Sequence, residues 1–288
     1  MTRLTARVPA TAANLGPGFD CFALALDLLN DVTLETESTP GVEIEGEGEG
    51  ELAIDRSNLI VRSMEKVAQE AGTTLPPLHL LCVNRIPLER GLGSSAAAVV
   101  AGVVLADRLL DLGLTPDASL RIAVEIEGHP DNVAGALRGG LVLAYLSEGG
   151  WRAESLAPSA ELRPVALIPE SVRLATSEAR RAMPAEVPLA DAAFNAGRAA
   201  LAAIAMTSRP DLLAEALEDR LHQPFRLPLV PSVNAVFQRL RSVGVPVCVA
   251  GAGPTLLAFE SEDAKLPELG DGWRLLRLAP RARGAEVA

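Results

Sequence analysis

Residues 87–97 read Pro-Leu-Glu-Arg-Gly-Leu-Gly-Ser-Ser-Ala-Ala and lead straight into a small-residue, helix-patterned stretch that reaches about Leu112. A chain with this segment must make a tight turn and open it directly onto a long helix. Gly91 and Gly93 permit the turn and a close approach of backbone. The free amides at the helix start attract phosphate oxygens, and Ser94 and Ser95 place two hydroxyls where a metal ion or phosphate would sit, so the segment is a candidate triphosphate cradle. Taken alone, the same residues are also explained by a helix that packs closely through Gly, Ser and Ala.

Spacing sets aside two familiar nucleotide loops. A P-loop needs a lysine that is missing here, and the whole chain holds only two, Lys66 and Lys265. The run Gly91-x-Gly93-x-x-Ala96 meets the loose dinucleotide fingerprint. Residues 87–90 separate its glycines from the preceding strand, however, and the position about 20 residues on falls near Asp111 at a helix end.

At 288 residues the chain is near the length at which one core divides into two, and 49% hydrophobic with 22% charged residues is a globular composition. Strand patterns at 4–8, 32–36, 79–83 and 141–145 alternate with helix patterns at 58–71, 95–112 and 115–127. A polar stretch at 147–158 then gives way to a second mixed set: strands at 163–168, 246–249, 255–260 and 273–278, and helices at 189–206, 210–221 and 232–243. The expectation is an α+β fold of two domains, residues 1–155 and 156–288. The alternating Gly and Glu of 41–51 read as a solvated hairpin or loop with no chemistry.

A net charge of −11 argues against nucleic acid or an acidic membrane surface as the main partner. No run of about 20 apolar residues is present, which, with no leader pattern at the start, points to the cytoplasm. Cys21, Cys82 and Cys248 are odd in number and far apart, as are His79, His129 and His222, so neither a disulfide framework nor a zinc site is expected.

Two further segments resemble binding loops. Residues 9–20, Pro-Ala-Thr-Ala-Ala-Asn-Leu-Gly-Pro-Gly-Phe-Asp, crowd Asn14, Asp20 and two glycines into a loop after a strand, although both polar residues could simply cap turns. Residues 249–255, Val-Ala-Gly-Ala-Gly-Pro-Thr, form a glycine-rich turn that fits a tight hairpin or a backbone approach to a ligand.

In combination, VPATAANLGPGFD, PLERGLGSSAA and AGAGPT resemble the three motifs of the GHMP kinases, in family order and along nearly the whole chain. Within that family NLGPGFD, the segment 127–134 (EGHPDNVA) and the run 221–226 (LHQPFR) are similar to homoserine kinases. The resemblance implies two α+β domains, ATP with Mg²⁺ along the middle motif, and transfer of phosphate to the hydroxyl of L-homoserine, a step of threonine biosynthesis. Related kinases are often dimers, so the assembly it suggests is a homodimer.

Carried onto this chain, the resemblance implies that Pro87, Leu88, Glu89, Arg90, Gly91, Leu92, Gly93, Ser94, Ser95, Ala96 and Ala97 wrap the phosphates, with Gly251 and Gly253 adding backbone contacts. Ser95 is the implied Mg²⁺ ligand, joined by Glu125, four residues before His129, although Glu127 stands close enough to be confused with it. Homoserine offers an ammonium, a carboxylate and a hydroxyl. By resemblance Asp20 approaches and orients the hydroxyl, and Arg180 and Arg226 grip the carboxylate through their planar forks. Asn14 and His129 take the remaining polar edges, and Thr176 lines the same site. Arg181 and Arg220 are close enough to be mistaken for the two arginines, and His222 is expected to be structural or on the surface. Ala250 stands where relatives often carry serine, which removes a hydroxyl contact there. Three other readings remain: a GHMP kinase for mevalonate or a sugar, a nucleotide-binding module without turnover, and a structural protein.

Overall fold

Long strands that carry small residues at their inner ends set the frame of the molecule. The computed structural model describes residues 2–288. β1 (Arg3–Ala13) alternates at its start and is buried on both faces from Val8 on, where Ala10, Ala12 and Ala13 leave room for helices to close in. The strand does not stop at Val8, as the 4–8 pattern suggests. A register shift between Pro9 and Ala10 takes up the proline, which has no N–H to give, and pairing with β2 (Phe22–Glu35) resumes to Ala13. The expected loop 9–20 is therefore shorter, opening only at Asn14.

β3 (Gly41–Gly46) is the first half of the acidic segment and pairs in parallel with β4 (His79–Asn84), α1 (Leu59–Glu70) making the crossover. Asn58 caps α1 by accepting the Ile60 N–H at 2.9 Å. α2 (Ser94–Leu110) and α3 (Pro116–Glu127) follow, the latter capped by Thr115. Then comes α4 (Asp131–Arg138), a helix that the glycines and proline of this region hide in the sequence. β5 (Leu141–Ser147) pairs with β2 and with β6 (Gly150–Leu156), so the polar stretch at 147–158 is a hairpin strand before it is a linker.

The second sheet runs in the order β10-β7-β9-β8, with β7 (Pro164–Pro169), β8 (Val247–Val249), β9 (Leu256–Phe259) and β10 (Trp273–Arg277). Between its strands lie α5 (Thr176–Arg181), α6 (Leu189–Thr207), α7 (Leu213–Ala216), α8 (Gln223–Arg226) and α9 (Pro231–Ser242). The helix pattern at 210–221 is broken into a 3-10 turn and the single turn of α7. Alternation puts Ala166 and Ile168 of β7 into the same core as β1, β2, β4 and α1–α4, while Val165 and Leu167 face a second core with Phe237 and Leu240 of α9. β11 (Glu286–Val287) returns to the first sheet beside β1, Ala6 pairing with Val287. Both halves mix helices with mostly antiparallel sheet, which is an α+β fold.

Candidate active site

The three glycine-rich segments meet. Thr11 N–H donates to the Leu92 carbonyl at 3.1 Å, and Gly251 N–H donates to the Ala13 carbonyl at 3.0 Å. Gly91 (φ +76°) lies so near the third segment that a Cβ there would run into the Ala250 carbonyl, and one on Gly93 (φ +73°) would strike the Thr11 hydroxyl. Asn14 ties the first loop in place. Its Oδ1 accepts the Asp20 N–H at 2.9 Å and its Nδ2 donates to the Gly251 carbonyl at 2.7 Å. Its amide is thus committed to loop structure, the alternative open from the sequence.

Between these segments lies a cleft of about 260 Å³. Its floor is the start of α2, where the N-cap is Gly93 in the left-handed region and no side chain caps the first amides. Pro87, Glu89, Arg90, Gly91, Gly93, Ser94 and Ser95 line it from the middle motif, with Asn14, Asp20, His129, Thr176, Arg180, Arg226 and Gly251 around them. Leu92 and Ala96 do not reach it. Both are fully buried and anchor the loop from below. Gly253 stands behind, its N–H donated to the Ala250 carbonyl at 2.9 Å, and Ala252 lines the cleft instead.

Ser95 Oγ donates to Glu127 Oε2 at 2.7 Å, and Glu127 lines the cleft. Glu125 does not. Arg121 holds it at 2.6 Å and Lys66 at 3.2 Å on the outer face of α3. Residues two apart on a helix point to different sides. The signal was available, because Leu120, Ala123 and Val124 are the buried stripe of α3 and position 127 continues it. Burial pushes the Glu127 carboxyl up, against the Ser95 hydrogen bond that lowers it.

Arg180 grips Asp20 with both nitrogens, at 3.0 and 2.6 Å. Arg226 is buried, donating from Nη1 to the Gly251 carbonyl at 2.9 Å and to His222 Nδ1 at 3.3 Å. Burial first, then the charge of Arg180, push it down to about 10. Arg181 is exposed, and Arg220 pairs with Asp191 at 3.1 Å outside the cleft, so the two arginines are now distinguished from their neighbours. His129 is pushed down by burial and by Arg180. His222 is fully buried, not on the surface, and burial lowers it to about 4, so it is neutral.

Three contributors escape the sequence reading. Asp131, buried at the start of α4, is pushed up to about 7 by desolvation and lines the cleft beside Asn132. Asn132 Oδ1 accepts the Thr11 hydroxyl at 2.7 Å. Next to the cleft opens a larger, more apolar cavity of about 400 Å³, sharing Glu89, Ser94 and Ser95 with it and walled by Leu52, Ala53, Asn58, Cys82, Asn84 and Leu88. Ala97 lines this cavity and not the cleft. The glycine- and glutamate-rich loop, given no chemistry above, supplies one wall of it.

Residues 58–140 match the family model described as GHMP kinases N terminal domain. The likeness extends well beyond that stretch. The chain is 46% identical to the homoserine kinase of Streptomyces avermitilis over 289 aligned positions, covering 98% of this chain and 94% of that protein. This chain belongs to the homoserine kinase family. The solved structures agree: a putative homoserine kinase from Listeria monocytogenes superimposes with a TM-score of 0.80 at 34% identity, covering 99% of both chains. The homoserine kinase from Cytophaga hutchinsonii gives 0.85 at 26%, covering 100% of this chain and 98% of that one. The likeness thus runs through the second half of the chain as well as the glycine-rich loops.

Proposed function

We infer that the protein transfers the γ-phosphoryl group of ATP to the side-chain hydroxyl of L-homoserine, giving ADP and O-phospho-L-homoserine in threonine biosynthesis. The observation that carries this reading is one cleft in which an uncapped helix start lies beside an acid, Asp20, and two arginines, Arg180 and Arg226. Relatives matched along nearly the whole chain are named homoserine kinases, which disfavours mevalonate or a sugar as acceptor.

The amides at the start of α2 receive the phosphates, and the neighbouring apolar cavity takes the nucleoside. Ser95 and Glu127 fit Mg²⁺, since they offer a hydroxyl and a carboxylate oxygen 2.7 Å apart beside the phosphate site, and Mg²⁺ is commonly held by one or two carboxylates plus phosphates. Bound there, the ion would neutralise charge on the transferring group. The inner-face placement of Glu127 supports it as the ligand in place of Glu125.

The Asp20–Arg180 pair supports a different part for Asp20. In an α-amino acid the ammonium and carboxylate share one carbon, so a carboxylate gripped by Arg180 at 2.6 Å lies where the substrate ammonium belongs. Asp20 therefore binds the ammonium, and Arg180 and Arg226 bind the carboxylate. That sends the hydroxyl towards Asn132, His129 and the serines. Phosphoryl transfer asks mainly for alignment and charge neutralisation, so no dedicated base is required.

A coupled ADP-release assay with Mg·ATP and L-homoserine, L-serine, mevalonate or galactose tests the reading, with Arg180→Ala alongside. Turnover of homoserine alone, with its KM raised on the order of a hundredfold in the variant, is expected for loss of a charge-assisted bidentate contact. Preferred turnover of another alcohol, or indifference to Arg180, would overturn it.

A further inference from the structure

Two arginines side by side in one cleft repel each other, and something must hold them open for a carboxylate. Arg180 leans on Asp20. Arg226 has no acidic partner within ion-pair distance among the described residues, and its Nε is buried without a hydrogen bond. Instead it packs against a ring. The Arg226 guanidinium carbon lies 5.1 Å from the centroid of Phe19, and that of Arg180 lies 5.7 Å from the same centroid. Phe19 in turn stacks on His222, centroids 5.5 Å apart and planes 25° from parallel.

His222 is itself fixed. Its Nε2 donates to the Gly16 carbonyl at 2.7 Å, its Nδ1 accepts from Arg226, and its backbone N–H donates to the buried Asp219 at 2.9 Å. We propose that Phe19 is a positioning residue for recognition of the substrate carboxylate, its ring, backed by His222, holding the guanidinium groups of Arg226 and Arg180 together in the cleft. An aromatic face attracts cations through its quadrupole but carries no net charge. The ring thereby holds both guanidinium groups without itself cancelling their charge, and Arg226 stays without an acidic partner among the described residues. A carboxylate in the same place would hold them more strongly but compete with the substrate.

The proposal rests on homoserine being the acceptor, so wild-type turnover of homoserine is the control. Without it the substrate reading fails, and Phe19 is judged only when it is present. Phe19→Leu should raise the homoserine KM roughly tenfold while kcat and the ATP KM stay within about twofold, and Phe19→Tyr should restore the wild-type value. A second arm leaves Phe19 in place. His222→Phe keeps a ring behind Phe19 and His222→Leu removes it, both without the imidazole acceptor, so the leucine variant should have the higher homoserine KM of the two, by roughly threefold. If Phe19→Leu does not fold, this arm decides. An unchanged homoserine KM in folded Phe19→Leu, an equal rise in the ATP KM, no rescue by tyrosine, or no difference between the two His222 variants would overturn the proposal.

Discussion

At the residue scale, the proposed chemistry turns on which side of a helix a carboxylate faces. Glu127→Gln should lower kcat by roughly a hundredfold or more, because the carboxylate beside Ser95 is lost. Glu125→Gln should leave kcat within about twofold, since it removes only exposed, solvent-screened ion pairs. ADP-release kinetics on the two variants separates them. Asp131 supplies a pH signature. Its carboxyl, facing Asp20, Arg180 and Arg226, is raised from 3.8 to about 7 by burial. The folded state therefore binds the proton more tightly, and the stabilisation is complete below the unfolded value and lost as pH rises through about 7. His222, near Asp219, Arg226 and Asp20, is lowered from 6.5 to about 4 and acts in the opposite sense, its stabilisation lost as pH falls through about 4. Asp131→Asn removes the first slope only. Relative to wild type, the ligand-free variant should gain stability on the order of 3 kcal/mol between about pH 4 and pH 8. Urea midpoints across that range would show it, and parallel pH profiles of the two proteins would contradict it.

At the element scale, the site is an arrangement of turns that only small residues allow. Gly91 has both a left-handed backbone and no room for a Cβ against Ala250. Gly91→Ala should destabilise the fold by at least about 2 kcal/mol, read as a lower urea midpoint, and weaken ATP binding with it. Substitution without either effect would show that the middle and third motifs need not touch. The elements themselves were largely legible. Caps at Asn58 and Thr115 and the periodicity of α1–α3 mark helices whose local signals agree with their packing. The misses have physical causes. β1 runs through Pro9 because a bulge absorbs it, a tertiary accommodation with no local mark. α4 begins at a proline N-cap and carries Gly135 inside, where the glycine lets the helix close on Thr11 and Ala23, so propensity argued against a helix that packing requires.

At the scale of the whole molecule, function follows from bringing distant segments together. Asp20 and Arg180 are 160 positions apart, and Asn14 and Gly251 are 237 apart. The motifs, with their glycines and hydroxyls, could be read from the chain because each is contiguous. The apolar cavity could not, since Leu52, Asn58, Cys82 and Leu88 reach it from separate elements and none carries a distinctive pattern. The fate of Asn14 was also beyond a linear reading, because it is decided by a partner far along the chain, Gly251, whereas the outward face of Glu125 follows from the periodicity of α3 and its i,i+4 pair with Arg121. The most direct test of the function is phosphorus NMR of the enzyme turning over Mg·ATP with L-homoserine. The expected result is one phosphomonoester resonance, that of O-phospho-L-homoserine, growing in step with ADP. ADP accompanied only by inorganic phosphate, or no loss of ATP, would contradict it.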